Sequence, residues 1–292
     1  MIHRFVHHNG RLAPIEETRL SPGQAGLLNG WGLFTTVRVV SGEPFAFERH
    51  WRRLEKDAAR VNLPLPFAPE RVRRHLAEVI RANQVQEGSA RIYLVYNHVG
   101  FWQSGEPFPD VDLILYTAGL PPHREPARLG LRPHGRFAAS LLCRVKTTAW
   151  LNNVWHLAEA QKAGFDEVIL LNERGEVAEC TAANVFAVRG GAVCTPPLSS
   201  GCLEGITRGV LLEIAGAAGV PIEERVLMPD DLVRADEVFI SSTSRNLIGV
   251  GAIEDHVFPH APGPVTHRLE EAFAAYLKDS IARSALETAA RK

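Results

Sequence analysis

The run Arg144-Val145-Lys146-Thr147-Thr148-Ala149-Trp150 places a lysine directly after an apolar stretch, in a strand-like setting. Two more stretches follow it along the chain. Glu179-Cys180-Thr181-Ala182-Ala183-Asn184 holds an acid among small and apolar residues, and Gly205-Ile206-Thr207-Arg208 has a glycine at the predicted start of a helix. We interpret the three stretches as parts of one site that combines an amine, a carboxylate and an anion-binding helix end.

These residue types suit a specific chemistry, although each also has a plain structural explanation. A lysine amine reacts with an aldehyde only when it is unprotonated, and burial favours that form, but most lysines are exposed surface charges. An acid such as Glu179 is either a charge at a loop edge or a paired functional group. The amides of a helix N-terminus bind phosphate, yet Gly205-Ile206-Thr207-Arg208 also fits an ordinary helix start led by threonine. Residue types alone leave both explanations open.

In their order and spacing, the three stretches resemble those of the class IV aminotransferases, which are fold-type IV enzymes that use pyridoxal 5′-phosphate (PLP). The resemblance extends over nearly the whole chain and includes the family pattern Glu-x-x-x-x-Asn-Phe/Val-Phe, which begins here at Glu179. It implies a two-domain α+β fold of the D-amino-acid-aminotransferase type. It also implies a homodimer, because active sites in this family borrow loop residues from the neighbouring subunit.

The resemblance implies a role for each cofactor residue. Lys146 is expected to be the catalytic residue, which forms a Schiff base with PLP and, once an amino donor has displaced it, moves a proton from the α-carbon of the substrate. Glu179 is expected to keep the pyridine nitrogen of PLP protonated. The cofactor-binding residues predicted in this way are Arg53, Lys146, Glu179, Ile206, Thr207 and Thr243.

Arg53 is assigned to the cofactor phosphate through its place on a helix. Apolar residues recur at helical spacing over 47–61, and Pro64 ends the run. Arg52 and Arg53 flank this apolar stripe, where arginines are ordinarily solvated. The stretch His50-Trp51-Arg52-Arg53-Leu54 resembles the family pattern His-x-x-Arg-Leu, whose arginine binds the phosphate with its planar fork of donors.

The predicted substrate-binding residues depart from the patterns of known subfamilies. Branched-chain enzymes carry Tyr-x-Arg where this chain has Arg91 and Tyr93, so the two residue types are exchanged. D-amino-acid enzymes place a carboxylate-binding arginine near the position of His98, where this chain has none. Trp150 stands where many branched-chain members have a tyrosine that hydrogen-bonds the ring oxygen of the cofactor. Arg245 is either a carboxylate clamp in the pocket or a surface charge on a loop. The predicted substrate-binding residues are Phe34, Thr36, Arg91, Tyr93, Trp150 and Arg245.

Transamination between an amino acid or amine and a 2-oxo acid is the first function that the resemblance implies. The segments 34–38 and 179–184 look more like those of aminodeoxychorismate lyases, which use the same lysine but eliminate pyruvate. That lyase is therefore the second candidate. An inactive family member that binds PLP or a partner is the third.

Secondary-structure patterns predict two domains. The proline-rich segment 119–128 is expected to link a small N-terminal α/β domain, 1–118, to a larger C-terminal domain, 129–292, that carries Lys146. Asn9-Gly10 predicts a tight hairpin turn within residues 2–13. Helices are expected at 47–61, 69–84, 149–163, 207–218 and 264–289, and strands within 30–40 and at 90–97, 111–116, 167–172, 177–188, 192–195 and 237–241.

Composition favours a cytoplasmic protein that acts on small molecules. The chain of 292 residues has 46% hydrophobic residues and a formal net charge of −1, which predicts a sizeable core and argues against nucleic-acid binding. No stretch is apolar enough for a signal peptide or a membrane span. The four cysteines form no C-x-x-C pair, so we expect reduced thiols and no metal site.

Overall fold

The structure is a computed structural model that describes the backbone of residues 1–20, 24–97 and 110–290 and the side chains of the same ranges up to residue 284. His98, which entered the comparison with D-amino-acid enzymes, lies outside these ranges. The chain divides into two compact units. One contains Met1–Pro121, Val145–Trp150 and the C-terminal end from Asp279, and the other contains Pro122–Arg144 and Leu151–Lys278.

The first unit is an antiparallel sheet with two long helices packed on it. The elements are β1 (Ile2–His8), β2 (Arg11–Pro14), α1 (Ala25–Asn29), β3 (Gly32–Val40), β4 (Glu43–Pro44), α2 (Phe47–Arg60), α3 (Pro69–Ala82), β5 (Glu87–Tyr96) and β6 (Val111–Ala118). The strands lie in the order β2-β1-β6-β5-β3-β4. The apolar faces of α2 and α3 cover the sheet.

The local patterns of the first unit predict these elements well. Asn9 and Gly10 have φ values of 49° and 93°, and the strands on either side pair as the predicted hairpin. Helix α2 buries the apolar residues of the predicted stripe, including Trp51 and Leu54. It ends at Arg60, ahead of Pro64, because a proline cannot continue the hydrogen-bonding pattern of a helix.

The second unit is a mixed sheet with helices around it. The elements are β7 (Ala127–Arg132), α4 (Leu151–Lys162), β8 (Glu167–Leu171), β9 (Val177–Cys180), β10 (Asn184–Arg189), β11 (Ala192–Thr195), α5 (Ile206–Ile214), β12 (Ile222–Glu224), α6 (Pro229–Val233), β13 (Glu237–Ser242), β14 (Asn246–Ile253), β15 (His256–Val257) and α7 (Pro264–Ala290). The strand order is β12-β11-β10-β13-β14-β7-β8-β9, with β15 paired to β14. The core of the unit includes Phe186 and Phe239, whose rings stack at 4.6 Å between centroids.

Two predictions for the second unit need correction. The strand predicted at 177–188 is interrupted, because the backbone N–H of Cys180 donates to the carbonyl of Ala183 and closes a turn. Glu179 therefore lies one residue before the end of β9. The helix predicted at 207–218 ends at Ile214, ahead of the flexible residues Gly216 and Gly219.

Two further properties concern the whole described chain. All four cysteines are free thiols: Cys143, Cys180, Cys194 and Cys202. No helix within the described ranges is long and apolar enough to cross a membrane.

Replacement of Leu94 by alanine tests how much the first unit depends on its sheet core. Leu94 lies on β5 and is fully buried. We expect the free energy of unfolding to fall by about 2–5 kcal/mol, because the substitution removes buried apolar contacts and leaves a cavity. Leu12→Ala is the matched control on β2, where the side chain is 39% exposed. Equal losses in the two variants, measured by denaturant titration, would contradict this view of the core.

Candidate active site

Lys146 belongs to a short segment, Val145–Trp150, that joins the first unit. The carbonyl of Lys146 accepts a hydrogen bond from the backbone N–H of Phe34 at 3.0 Å. Thr148 donates its backbone N–H to the carbonyl of Gly32 at 2.9 Å, and Leu33 and Thr147 form an isolated β-bridge. The strand-like setting predicted for the lysine is thus a short backbone pairing with the start of β3.

Glycines on and just before β3 permit this close approach. Gly30 has a φ of +67°, and a Cβ atom built on it would lie 2.8 Å from the Cβ of Ala149. A Cβ on Gly32 would lie 2.9 Å from Oγ1 of Thr148. Any larger residue at either position would displace the segment that carries Lys146. The two glycines are therefore explained by the approach of the lysine segment and not only by a bend in the chain.

The side chain of Lys146 points into an aromatic environment. Its Nζ atom lies 4.5 Å from the centroid of the Phe34 ring and 5.6 Å from that of Trp150, distances at which a ring face attracts a cation. The two rings are 5.7 Å apart and meet edge to face. Lys146 is half-buried. Its amine therefore lies against aromatic ring surface, whereas Leu141 and Leu142, which precede it in the sequence, are exposed.

Arg53 is held inside the first unit by a chain of hydrogen bonds. It is 7% exposed, whereas Arg52 is exposed. One Nη atom of Arg53 donates to Oγ1 of Thr35 at 2.9 Å, and that oxygen lies 2.7 Å from Nδ1 of His50. The Thr35 hydroxyl thus bridges the guanidinium of Arg53 and the imidazole of His50. The chain fixes where the guanidinium of Arg53 lies.

Charge and burial set the protonation of the polar residues on the buried face of α2. Burial, followed by the nearby charges of Arg53 and Lys146, holds the pKa of His50 well below its usual value, so its imidazole is neutral. Burial raises the pKa of Asp57, against the opposing effects of the Lys146 backbone N–H and Arg53. Asp57 accepts that N–H at 3.1 Å. The buried face of α2 thus fastens the backbone of Lys146 itself.

A row of aromatic side chains leads away from Lys146 across the sheet. Phe34 stacks on Tyr93 at 5.2 Å between ring centroids, and Tyr93 stacks on Tyr116 at 5.7 Å. Nη1 of Arg91 lies 3.3 Å from the hydroxyl of Tyr93 and 3.5 Å from that of Tyr116. Burial raises the pKa of Tyr116 to about 12, so it remains a neutral phenol. The row therefore ends in one guanidinium surrounded by hydroxyl groups.

The structure brings most of the predicted substrate-binding residues together in the first unit. Phe34, Tyr93, Arg91 and Trp150 belong to the row or touch it. Thr36 lies directly opposite Arg91 in the register of β3 and β5. Their roles toward a substrate stay a prediction.

In the second unit, Glu179 is the centre of a polar network. It is 7% exposed, and its Oε1 atom accepts from Nε of Arg136 at 3.0 Å and from Nη2 at 2.8 Å. Its Oε2 atom accepts from the backbone N–H of Leu203 at 3.0 Å. Arg136 is in turn oriented by Oδ1 of Asn153 at 3.1 Å. These charged and neutral donors hold the carboxylate of Glu179 in one orientation.

The N-terminus of α5 lies next to this network. Ile206 and Thr207 open the helix after Gly205, and Thr207 is 3% exposed. A Cβ on Gly205 would lie 2.0 Å from Oδ1 of Asn184, so only glycine fits there. Nδ2 of Asn184 donates to the carbonyl of Leu203. Glu179 and the α5 N-terminus are thereby linked through the same short loop.

Thr243 and Arg245 lie in the turn between β13 and β14. This turn follows Ser241, which pairs with Asn184 across the sheet. Arg245 is engaged in an internal ion pair, with its Nη1 atom 3.2 Å from Oε2 of Glu167, which is 1% exposed. The guanidinium of Arg245 thus pairs with a buried carboxylate of the second unit, so Arg245 is not simply a surface charge. A contact with substrate stays a prediction.

Sequence patterns did not identify several residues that organise these two groups. Arg136 and Tyr116 lie in no recognisable motif, whereas Asn153 closes the segment after Lys146 that resembles the family. Thr35 and Asp57 lie beside predicted apolar positions and could have been noticed for that reason. Asp57 is three residues from Leu54 on the apolar stripe of α2, and an acid at such a position is a usable sign of a paired group.

Comparisons with known proteins agree on one family. The family described as amino-transferase class IV matches residues 32–253. A D-alanine aminotransferase from Bacillus licheniformis is 29% identical over 91% of this chain and 95% of the relative. An aminodeoxychorismate lyase from Bacillus subtilis (strain 168) is 28% identical over 95% of this chain and 96% of the relative.

A solved structure extends the agreement to the fold. The branched-chain aminotransferase from the thermophilic archaeon Thermoproteus uzoniensis, solved with norvaline, superposes with a TM-score of 0.87 at 27% identity, covering 95% of this chain and 96% of that one. The predicted two-domain α+β architecture of fold type IV is confirmed by this likeness. Enzymes of this class use PLP. Because the family match spans most of the sequence, the chain belongs to the class IV aminotransferases.

Proposed function

We propose that this protein is a PLP-dependent aminotransferase that moves an amino group between an amino acid or amine and a 2-oxo acid. The observation that carries the proposal is the row in the first unit. It begins at the amine of Lys146, which lies over Phe34, and ends at the guanidinium of Arg91. An amine that can react with an aldehyde and a cation that can bind a carboxylate are the two groups that amino-acid transamination needs on the protein.

The residues present fit PLP. The cofactor supplies an aldehyde carbon and a ring that accepts electrons from the substrate. Lys146 is proposed to bind at that aldehyde, and Glu179 to hold a proton on the ring nitrogen, a task for which Arg136 and the Leu203 amide orient its carboxylate. For the phosphate we propose Arg53, the amide of Ile206 and the hydroxyls of Thr207 and Thr243.

The chemical steps assigned to this chain are proton transfers and positioning. Once an amino donor had displaced it, Nζ of Lys146 would take the proton from the α-carbon of the donor as general base and give it, as general acid, to the carbon that was the aldehyde carbon of the cofactor. The aromatic rings of Phe34 and Trp150 exclude water from one side of this amine. The hydrogen bond from the Lys146 backbone to Asp57 keeps the amine in place between the two half-reactions.

Arg91 is proposed to bind the carboxylate of the substrate. Its guanidinium lies beside the hydroxyls of Tyr93 and Tyr116, which can also donate to a carboxylate oxygen. Arg91 and Tyr93 lie two residues apart on β5 and therefore face the same side of the sheet. Exchange of the two residue types relative to branched-chain enzymes places the positive charge at a different distance from Lys146, so a different substrate selectivity is expected.

A second candidate function is the elimination of pyruvate from aminodeoxychorismate. It is favoured by the likeness to the Bacillus subtilis lyase over nearly the full length of both chains. The same lysine and the same carboxylate would serve both reactions, so the geometry of each unit is compatible with either. Homodimeric assembly and cytoplasmic location stay predictions for both candidates.

The proposed role of Lys146 is tested by Lys146→Ala, with Lys162→Ala at an exposed ion pair as the matched control. We expect the wild-type protein and the control to show the visible absorption of lysine-bound cofactor and to lose it when a suitable amino donor is added. Lys146→Ala should show neither, and its kcat/KM should fall by at least about 100-fold, because general acid–base catalysis is lost. A variant with the wild-type rate would exclude the proposed role.

The choice between the two candidate functions follows from the same spectra. L-amino acids, D-amino acids and both enantiomers of 1-phenylethylamine are added singly to the purified protein. Loss of the visible band with one of them identifies a transaminase and its donor. A band that no donor removes, together with release of pyruvate from aminodeoxychorismate, would identify the lyase instead.

The proposed role of Arg91 is tested by Arg91→Met. We expect KM for carboxylate substrates to rise about 10- to 100-fold, because a charge-assisted hydrogen bond is lost, with a smaller change in kcat. A donor without a carboxylate, such as 1-phenylethylamine, should be unaffected, and Arg60→Met, at an exposed arginine of α2, is the control for loss of charge. An equal change with both kinds of donor would show that Arg91 is only structural.

A further inference from the structure

A buried histidine on the opposite side of the first unit from the aromatic row lacks the partners that its chemistry requires. His7 lies on β1 and is 0% exposed. Neither of its ring nitrogens has a hydrogen-bond partner within the part of the chain that the structure describes. Buried polar groups are almost always satisfied, and those that are not call for an explanation such as an ion.

Two further potential ligands from α3 lie against this histidine. The rings of His7 and His75 are 4.0 Å apart between centroids. Glu78 follows His75 by three residues and therefore lies on the same face of the helix, with its Oε2 atom 3.2 Å from Nδ1 of His75. One ligand atom from each of His7, His75 and Glu78 lies within 4.8 Å of the others.

We propose that His7, His75 and Glu78 bind a divalent transition-metal ion, with Zn²⁺ as the preferred ion, and that this ion ties β1 to α3. Two imidazoles and one carboxylate form a donor set that suits zinc. Ligand atoms around a tetrahedral zinc ion are about 3.4 Å apart, as follows from bonds of about 2.0–2.1 Å. The ligand atoms, which lie within 4.8 Å of one another, therefore need to approach by up to about 1.4 Å, which is within the reach of side-chain rotation.

The protonation of His7 agrees with this assignment. Burial, followed by the neighbouring His75, lowers the pKa of His7 to about 4, against the opposing effect of Glu78. Its imidazole is therefore neutral at neutral pH and has a lone pair to offer. Metal ions bind this neutral form.

The contact between Arg71 and His75 opposes the binding of a metal ion. Nε of Arg71 lies 3.4 Å from Nε2 of His75, and its positive charge disfavours a cation nearby. Arg71 is exposed and has a long, rotatable side chain, so it is the partner of His75 that can move away. Removal of its charge should therefore tighten metal binding, whereas a purely structural His7–His75 contact gives no reason for such an effect.

A cavity gives access to the cluster. It has a volume of about 380 Å³, and its lining combines the polar residues Asn9, Arg71, His75 and Asp110 with apolar residues such as Phe67. An ion can thus reach His75 from this side without passing through the apolar core. Three protein ligands also leave a fourth position of a tetrahedral zinc ion for water.

The proposal is tested by metal titration of the complete protein with its cofactor, after treatment with a chelator and dialysis. Zn²⁺ binding is measured by calorimetry, and Co²⁺ absorption reports on the ligand geometry. His75→Gln and Glu78→Gln remove one ligand each at positions that are partly exposed, with side-chain exposures of 17% and 46%, so both variants are expected to fold. Glu70→Gln, at an exposed acid on the same helix, is the matched control.

We expect one Zn²⁺ per chain in the wild type and in Glu70→Gln, and binding weaker by at least about 10-fold in His75→Gln and Glu78→Gln. Zn²⁺ should raise the thermal unfolding midpoint of the wild type and of Glu70→Gln, but not that of His75→Gln or Glu78→Gln. Arg71→Gln should bind Zn²⁺ several-fold more tightly than the wild type. Absence of stoichiometric binding, or equal binding in all of these proteins, would overturn the proposal. Since none of these residues belongs to the proposed catalytic groups, transaminase activity does not enter the test.

Discussion

The backbone pairing of Val145–Trp150 with the start of β3 is the constraint on which the first unit's chemistry depends. The chain on either side of this segment belongs to the second unit, so Lys146 is held mainly by this pairing and by Asp57. Gly30 and Gly32 leave room for Ala149 and Thr148. Because the contacts are backbone hydrogen bonds, they fix the position of the Lys146 backbone. The side chain then needs only to extend over Phe34.

Alternation of side chains along β3 separates a polar network from an aromatic surface in the first unit. Leu33 and Thr35 face the helices, where Thr35 joins His50 and Arg53 of α2. Phe34 and its neighbours point to the other side and form the aromatic row. Successive strand residues point to opposite faces, so one short stretch of β3 serves a buried positioning network and an aromatic surface at the same time.

In both units, a buried charged side chain is held by hydrogen bonds to neighbouring groups. Arg53 and Glu179 are each less than one-tenth exposed, and an isolated charge at such depth is very unfavourable. Each is instead fixed by hydrogen-bond partners: Thr35 for Arg53, and Arg136 with the Leu203 amide for Glu179. These partners leave the charged groups with a single orientation, as the cofactor roles proposed for them require. His7 differs from both, because neither of its two buried ring nitrogens has a hydrogen-bond partner in the described part of the chain.

The sequence by itself determined the family and the class of fold, and it predicts cofactor roles for residues that lie in contiguous motifs, such as Lys146 and Glu179. Local signals sufficed there, because helical spacing, turn residues and motif order are properties of neighbouring positions. Only the tertiary structure decided which distant residues support them. Arg136 reaches Glu179 across the second unit, and His7 meets His75 from another element. Such contacts depend on how strands and helices pack, and no pattern of neighbouring residues records them.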